Sequence, residues 1–203
     1  MHISEGILST SVLVSGAALT AAGTAVGLKK MDYDRIPQVA ILSAAFFVAS
    51  LIHIPIGLFS VHLILNGLMG LFLGWVVFPA ILIGLILQAV LFQFGGFTSL
   101  GVNSLNMALP ALICFYAFGS GIKSKRVAIS VIASFLCGFG AVFLGSLMVA
   151  FSLIFTGEAF LGVSKLVVVA HLPVMVIEGF IAVFCVKFLK KVKPEILEVV
   201  YAR

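Results

Sequence analysis

Apolar residues in this chain come in runs of about 17 to 25, each long enough to cross a ~30 Å hydrocarbon core as a helix. The runs lie near 7–28, 36–53, 61–77, 79–94, 104–119, 127–156 and 163–187. Short stretches rich in Gly, Pro, Asn or Lys separate them. The pattern predicts an all-α integral membrane protein with seven transmembrane helices. It forms a single transmembrane domain over 1–193, followed by a short tail over 194–203. The third and fourth runs are divided only by Phe78-Pro79, which predicts a tight helical hairpin there. The sixth run is over-long, so its helix should tilt or extend past the bilayer.

Composition agrees with this reading. Of 203 residues, 63% are hydrophobic and only 9% charged, against about 25% charged in a soluble domain. The positions of the basic residues set the orientation. Lys29, Lys30 and Arg35 lie between runs one and two, and Lys123, Lys125 and Arg126 between runs five and six. Lys187, Lys190, Lys191, Lys193 and Arg203 close the chain. With seven crossings all of these fall on one side, and only Lys165 falls on the other. The positive-inside rule then places the N-terminus outside and the C-terminus in the cytoplasm of a bacterial or archaeal cell membrane. The net charge of +5 therefore reports topology and contact with the lipid bilayer, and no nucleic-acid partner is expected. No cleavable leader is evident, so the mature chain is expected to start at Met1. Cys114, Cys137 and Cys185 sit in separate apolar runs without C-x-x-C spacing and read as small core residues.

That topology sends Met1, His2, His53, His62 and His171 toward the outer face. A histidine directly after Met1 offers three nitrogens on one short piece of chain: the α-amine, the His2 amide once deprotonated, and the His2 ring. Nitrogen ligands in a near-planar set suit Ni(II) or Cu(II), and tolerably Co(II), better than Zn(II) or Mg(II). A further histidine would supply the fourth nitrogen. Pro55 and Gly57 predict a turn, after which His62 begins the third helix, with Asn66 one turn later on a similar face and able to orient the His62 ring. Residues 93–107 carry Gly95, Gly96, Gly101, Asn103 and Asn106. Irregular chain at this depth is tolerated where it packs on protein or lines a cavity, so this loop is expected to cover a ligand site. His171 and Glu178 are seven apart, two helical turns, and should share a face turned into the bundle. The chain has no G-x-x-x-x-G-K-[ST] and no H-E-x-x-H, which removes P-loop ATP hydrolysis and the commonest zinc-protease signature.

Together these segments resemble the cobalt/nickel substrate-capture components (the CbiM/NikM family) of energy-coupling-factor transporters. The resemblance is carried by MHISEG at 1–6, SVHLILNGLMG at 60–70, FQFGGFTSLGVNSLNMALP at 92–110 and AHLPVMVIEG at 170–179. It implies a substrate-binding bundle with an extra first helix that delivers the amino terminus inward. Transported Co(II) or Ni(II) would be held by Met1, His2 and His62, with no resident cofactor. It further implies a membrane scaffold subunit, a pair of cytoplasmic ATPases and a small accessory membrane protein as partners, and no enzymatic activity in this chain. Two other readings compete: a vitamin-specific capture component, and an intramembrane hydrolase using His171 and Glu178.

Overall fold

The structure is a computed structural model that describes residues 2–56 and 59–197; Met1 and the end of the expected tail, 198–203, lie outside the described residues. Among the described residues eight α-helices succeed one another in chain order: α1 Thr10–Lys29, α2 Ile36–Leu51, α3 Asn66–Leu73, α4 Val77–Phe92, α5 Leu100–Ile122, α6 Val127–Ile154, α7 Leu161–Ala170 and α8 Leu172–Val192. Between α2 and α3 stand two short antiparallel strands, β1 His53–Ile56 and β2 Phe59–His62, in which His53 pairs with His62.

Among the described residues six helical stretches are long and apolar enough to cross a membrane. The all-α membrane architecture expected from the sequence is therefore present, with its detail redistributed. The expected third and fourth spans form one stretch, Asn66–Phe92, broken at Gly74 and not at Phe78-Pro79. Gly74 has φ 54°, a conformation that glycine adopts without steric cost. Pro79 is accommodated in the first turn of α4, where its missing N–H removes no helical bond. The last span is likewise two helices, which meet at His171 just before Pro173.

His62 does not begin a helix, as the apolar run suggested; it ends β2, and α3 starts at Asn66. Two features stop the helix from reaching back. Leu65 is left-handed, with φ 56°, and the amides of Ile64 and Leu65 both donate to Glu178 Oε1 from α8. The β-branched residues of Ile-Pro-Ile and Ser-Val-His favour the extended hairpin instead.

The bundle is centred on α5 and α6, whose inner faces bury Met107, Ala111, Ala141 and Val149. Lipid gives no hydrophobic drive between helices, so close approach and interhelical hydrogen bonds supply the cohesion. α1 is a clear case. Its four buried residues are Gly16, Thr20, Gly23 and Gly27, spaced four, three and four apart and hence on one face. Thr20 Oγ1 donates to Gly101 O at 2.6 Å. Ser43 of α2 donates in the same way to Ala80 O of α4.

The two ends of the bundle differ in character. Lys29, Lys30 and Arg35 line a 510 Å³ cavity with Trp75 and Tyr116. Lys123, Lys125, Lys187, Lys190 and Lys191 line another of 690 Å³. The other end of α1, about 30 Å away along its 20 residues, carries the amino-terminal segment, tied to the α6–α7 connection where Ser9 N donates to Thr156 Oγ1.

Candidate metal site

His2 and Ile3 enter the bundle, 4% and 1% exposed, while Ser4 and Glu5 stay at its surface. Asn103 of α5 holds this segment as a neighbouring strand would. Its Oδ1 accepts from Ile3 N at 2.9 Å, and its Nδ2 donates to Ile3 O at 3.1 Å. Ser99 Oγ donates to the same carbonyl at 2.9 Å. Further along, Glu5 Oε1 accepts from Thr98 N, so the loop between α4 and α5 closes over the segment. Gly95 in that loop has φ 79°, and a Cβ there would stand 2.9 Å from Asn103 Nδ2 and 3.5 Å from His2 Cδ2. A larger residue would press on the side chain that holds Ile3. The loop expected to cover a ligand site covers the amino-terminal segment through these contacts.

The ring of His2 lies over that of His62, with centroids 4.7 Å apart. His2 Nδ1 and His62 Nε2 are 3.0 Å apart. On its far side His2 Nε2 is 2.6 Å from Gln88 Oε1, and His62 Nδ1 is 2.7 Å from Leu63 O. Both oxygens can only accept, so both of those ring nitrogens carry the hydrogen. The remaining nitrogens, His2 Nδ1 and His62 Nε2, are the ones that meet across the ring pair. Two nitrogens bound to one ion at about 2.0 Å and at right angles would stand about 2.8 Å apart. The observed 3.0 Å suits two adjacent ligands of a single small cation. Such an ion requires no large cavity, and neither basic-end cavity includes His2 or His62.

The other residues singled out in the sequence fall into separate places. Asn66 does not address the His62 ring: its Nδ2 donates to Met107 O at 3.0 Å and to Ala141 O at 3.4 Å, bracing α3 against α5 and α6. Asn106 meets Ser152 of α6. His171 is fully buried, with Nδ1 donating to Val167 O one turn back. Glu178 is 2% exposed and, through Ile64 and Leu65, fixes the turn just after His62. His53 pairs by backbone with His62, and its side chain lies outside the described residues. Among the described residues no three His, Cys, Asp or Glu side chains come together as a metal cluster. Sequence reasoning had no place for Gln88 or Ser99. Gln88 did carry a signal, as the one polar side chain in the run VFPAILIGLILQAVLF of α4.

Comparison with known proteins points the same way. The family model described as the cobalt uptake substrate-specific transmembrane region, CbiM, matches residues 2–196. A putative metal transport protein of Haemophilus influenzae is 45% identical over 202 residues, covering 97% of each chain. A putative cobalt transport protein of Methanocorpusculum labreanum is 30% identical over 213 residues, covering 98% of this chain and 92% of its own. A crystal structure of a transition metal transporter superposes with TM-score 0.77 at 27% identity, covering all of this chain and 99% of the other. With a match that runs almost from end to end, the chain belongs to the CbiM family of cobalt uptake substrate-specific transmembrane proteins.

Proposed function

We propose that the chain captures Co(II) or Ni(II) at the outer face of the membrane, as the substrate-binding component of an ATP-driven uptake transporter. The observation that carries this reading is the buried pair His2 Nδ1 and His62 Nε2, 3.0 Å apart. In this reading the Met1 amine and the deprotonated His2 amide complete a four-nitrogen set. His2 then contributes two nitrogens of two fused chelate rings, and His62 closes the square. Four nitrogens favour Ni(II) and tolerate Co(II). ATP hydrolysis belongs to separate cytoplasmic subunits coupled through a membrane scaffold, because this sequence lacks a phosphate-binding loop. The N-terminus lies outside and the basic end faces the cytoplasm. The vitamin and hydrolase readings draw no comparable support; a hydrolase built on Glu178 would need a carboxylate that two backbone amides already occupy.

The test is calorimetric titration of the purified chain with nickel, cobalt, zinc and copper. Acylating the terminal amine, or inserting one alanine between Met1 and His2, leaves every side chain in place while removing a ligand or lengthening a chelate ring. Either change, like His62→Ala, should weaken nickel binding roughly 100-fold or more, and His53→Ala should be mild. Wild-type affinity should fall as the pH is lowered, since imidazole and amine must be deprotonated to bind; burial holds His62 well below the ordinary imidazole range, so its share of the loss comes below ~6.5. Native affinity in the acylated and extended proteins would rule out the amino-terminal site.

A further inference from the structure

At the basic end of the bundle, the α5–α6 connection and the last turns of α8 enclose a cavity of 690 Å³. Its size falls within the about 300–1,000 Å³ of small-molecule sites. Lys123 and Lys125 line it from the connection, and Lys187, Lys190 and Lys191 from α8. Among the described residues no Asp or Glu lines it. A topology signal needs only basic residues in a cytoplasmic loop. It does not need lysines from two distant parts of the sequence to converge on one concavity. Lys190 Nζ donates to Ser124 O at 2.9 Å, which fastens the connection to α8 and fixes the shape between them. The other cavity at this end differs: Asp32 stands among its basic residues, and Arg35 is engaged by Gln38 Oε1 and Phe72 O.

The cavity also has an apolar side. Val131, Pro194 and Leu197 form part of its wall, and Val127, at the start of α6, is 69% exposed. On α8, Phe184, Lys187, Phe188 and Lys191 follow the spacing i, i+3, i+4, i+7 and share one face. Phe184 and Phe188 are 72% and 55% exposed, so in a spanning helix this face looks out at lipid. Flexible stems carry the two ammonium groups from it to the polar boundary. α6 begins at the rim of the cavity with no side chain capping it, and a helix N-terminus favours a phosphate. A small water-soluble anion would use the charge and ignore the phenyl rings. A phospholipid has a part for each.

We propose that this cavity binds one anionic phospholipid of the cytoplasmic leaflet. Lys125, Lys187 and Lys191 hold its phosphate, and its acyl chains lie along Phe184 and Phe188. Basic pockets between transmembrane helices on the cytoplasmic side suit such headgroups, because the ammonium groups already stand at the depth of the phosphates. The bound lipid bridges the α5–α6 connection and the end of α8, reinforcing the link that Lys190 makes to Ser124 O. The choice of leaflet rests on the proposed topology. The binding itself does not, and purified protein reports it independently of orientation and of metal capture.

The experiment is native mass spectrometry of the full chain released from detergent. Phosphatidylglycerol is titrated alone, against phosphatidylcholine, and against excess inorganic phosphate. Wild type should retain one phosphatidylglycerol per chain, and neither competitor should displace it. The Lys187→Gln/Lys191→Gln pair should bind roughly 30-fold more weakly, at about fivefold per lysine. Lys187→Arg/Lys191→Arg should keep the lipid. Lys29→Gln/Lys30→Gln, which removes the same charge from the other basic cavity, should bind as wild type does. Lys190 is left in place, because it holds Ser124 O. Should the glutamine pair not elute as folded protein, Lys125→Gln, on the exposed connection, is expected to bind about fivefold more weakly. Unchanged affinity in the folded glutamine variants overturns the proposal. So does an equal loss in the Lys29/Lys30 pair, which would mean a general effect of charge. Displacement by inorganic phosphate would make this a free-anion site, and displacement by phosphatidylcholine an unselective lipid surface; either result overturns it as well.

Discussion

His62 is held in place by residues far from it in sequence, and Glu178 is the chief of these. A single oxygen of Glu178 accepts from Ile64 N and, at 2.7 Å, from Leu65 N. It pins the turn between His62 and the start of α3. Removing the acceptor strands two buried backbone donors, so Glu178→Leu should destabilise the protein by about 2–4 kcal/mol and weaken nickel binding with it. Glu178→Gln keeps an accepting oxygen and should be much milder. Thermal melting in detergent, paired with nickel titration, separates the two variants; a stable, fully binding Glu178→Leu protein would show the carboxylate to be dispensable. Asn103 makes the equivalent contact for the amino-terminal segment. Asn103→Ala should cost roughly 10- to 100-fold in nickel affinity while leaving the melting transition near its wild-type position, since it frees a terminal segment and not a helix.

Among the elements, α1 links the fold to the site. It approaches α4 and α5 through a stripe of small residues, and a Cβ on Gly23 would stand 2.5 Å from the ring of Phe78. Overpacking of that kind typically costs about 1–3 kcal/mol. Here its effect should be transmitted along the helix: Gly23→Leu displaces α1, and with it the segment that ends in His2. Nickel affinity should drop although every ligand is intact. Ala18→Leu, on the exposed side of the same helix, should leave it unchanged. Equal behaviour of the two variants in a nickel titration would mean that α1 packing does not set the position of the amino terminus.

For the molecule as a whole, sidedness is the property that matters for transport. Single cysteines placed at Glu158 and at Glu195, in a background lacking Cys114, Cys137 and Cys185, probe the two ends. Impermeant maleimide added to intact cells should label the first position and spare the second; labelling at Glu195 would invert or break the proposed topology. The purified chain should also show no ATP hydrolysis of its own, measured as phosphate release, in keeping with the missing phosphate-binding loop.

Length, hydropathy and the distribution of Lys and Arg determined by themselves that the chain spans a membrane as helices, because the bilayer imposes a minimum apolar length on each crossing. The sequence also singled out His2, through a ligand chemistry that depends on a histidine standing directly beside Met1, and His62 through the family resemblance. Other features were decided only by the tertiary structure. An apolar run looks alike whether it forms one helix or two, so the break at Gly74 and the junction at His171 depend on backbone angles that hydropathy does not register. The hairpin ending at His62 was hidden for the same reason: its residues are apolar enough to read as helix, and the Glu178 carboxylate that stops α3 at Asn66 arrives from more than a hundred residues away. Asn66 faced His62 by helical spacing but turned to Met107 and Ala141 once the helix began four residues later than the run implied. Gln88 was visible as a lone polar residue in an apolar helix, yet its partner could not be named from the sequence. Which ring nitrogen faces an amide oxygen depends on where three separate segments are brought together, and packing alone settles that.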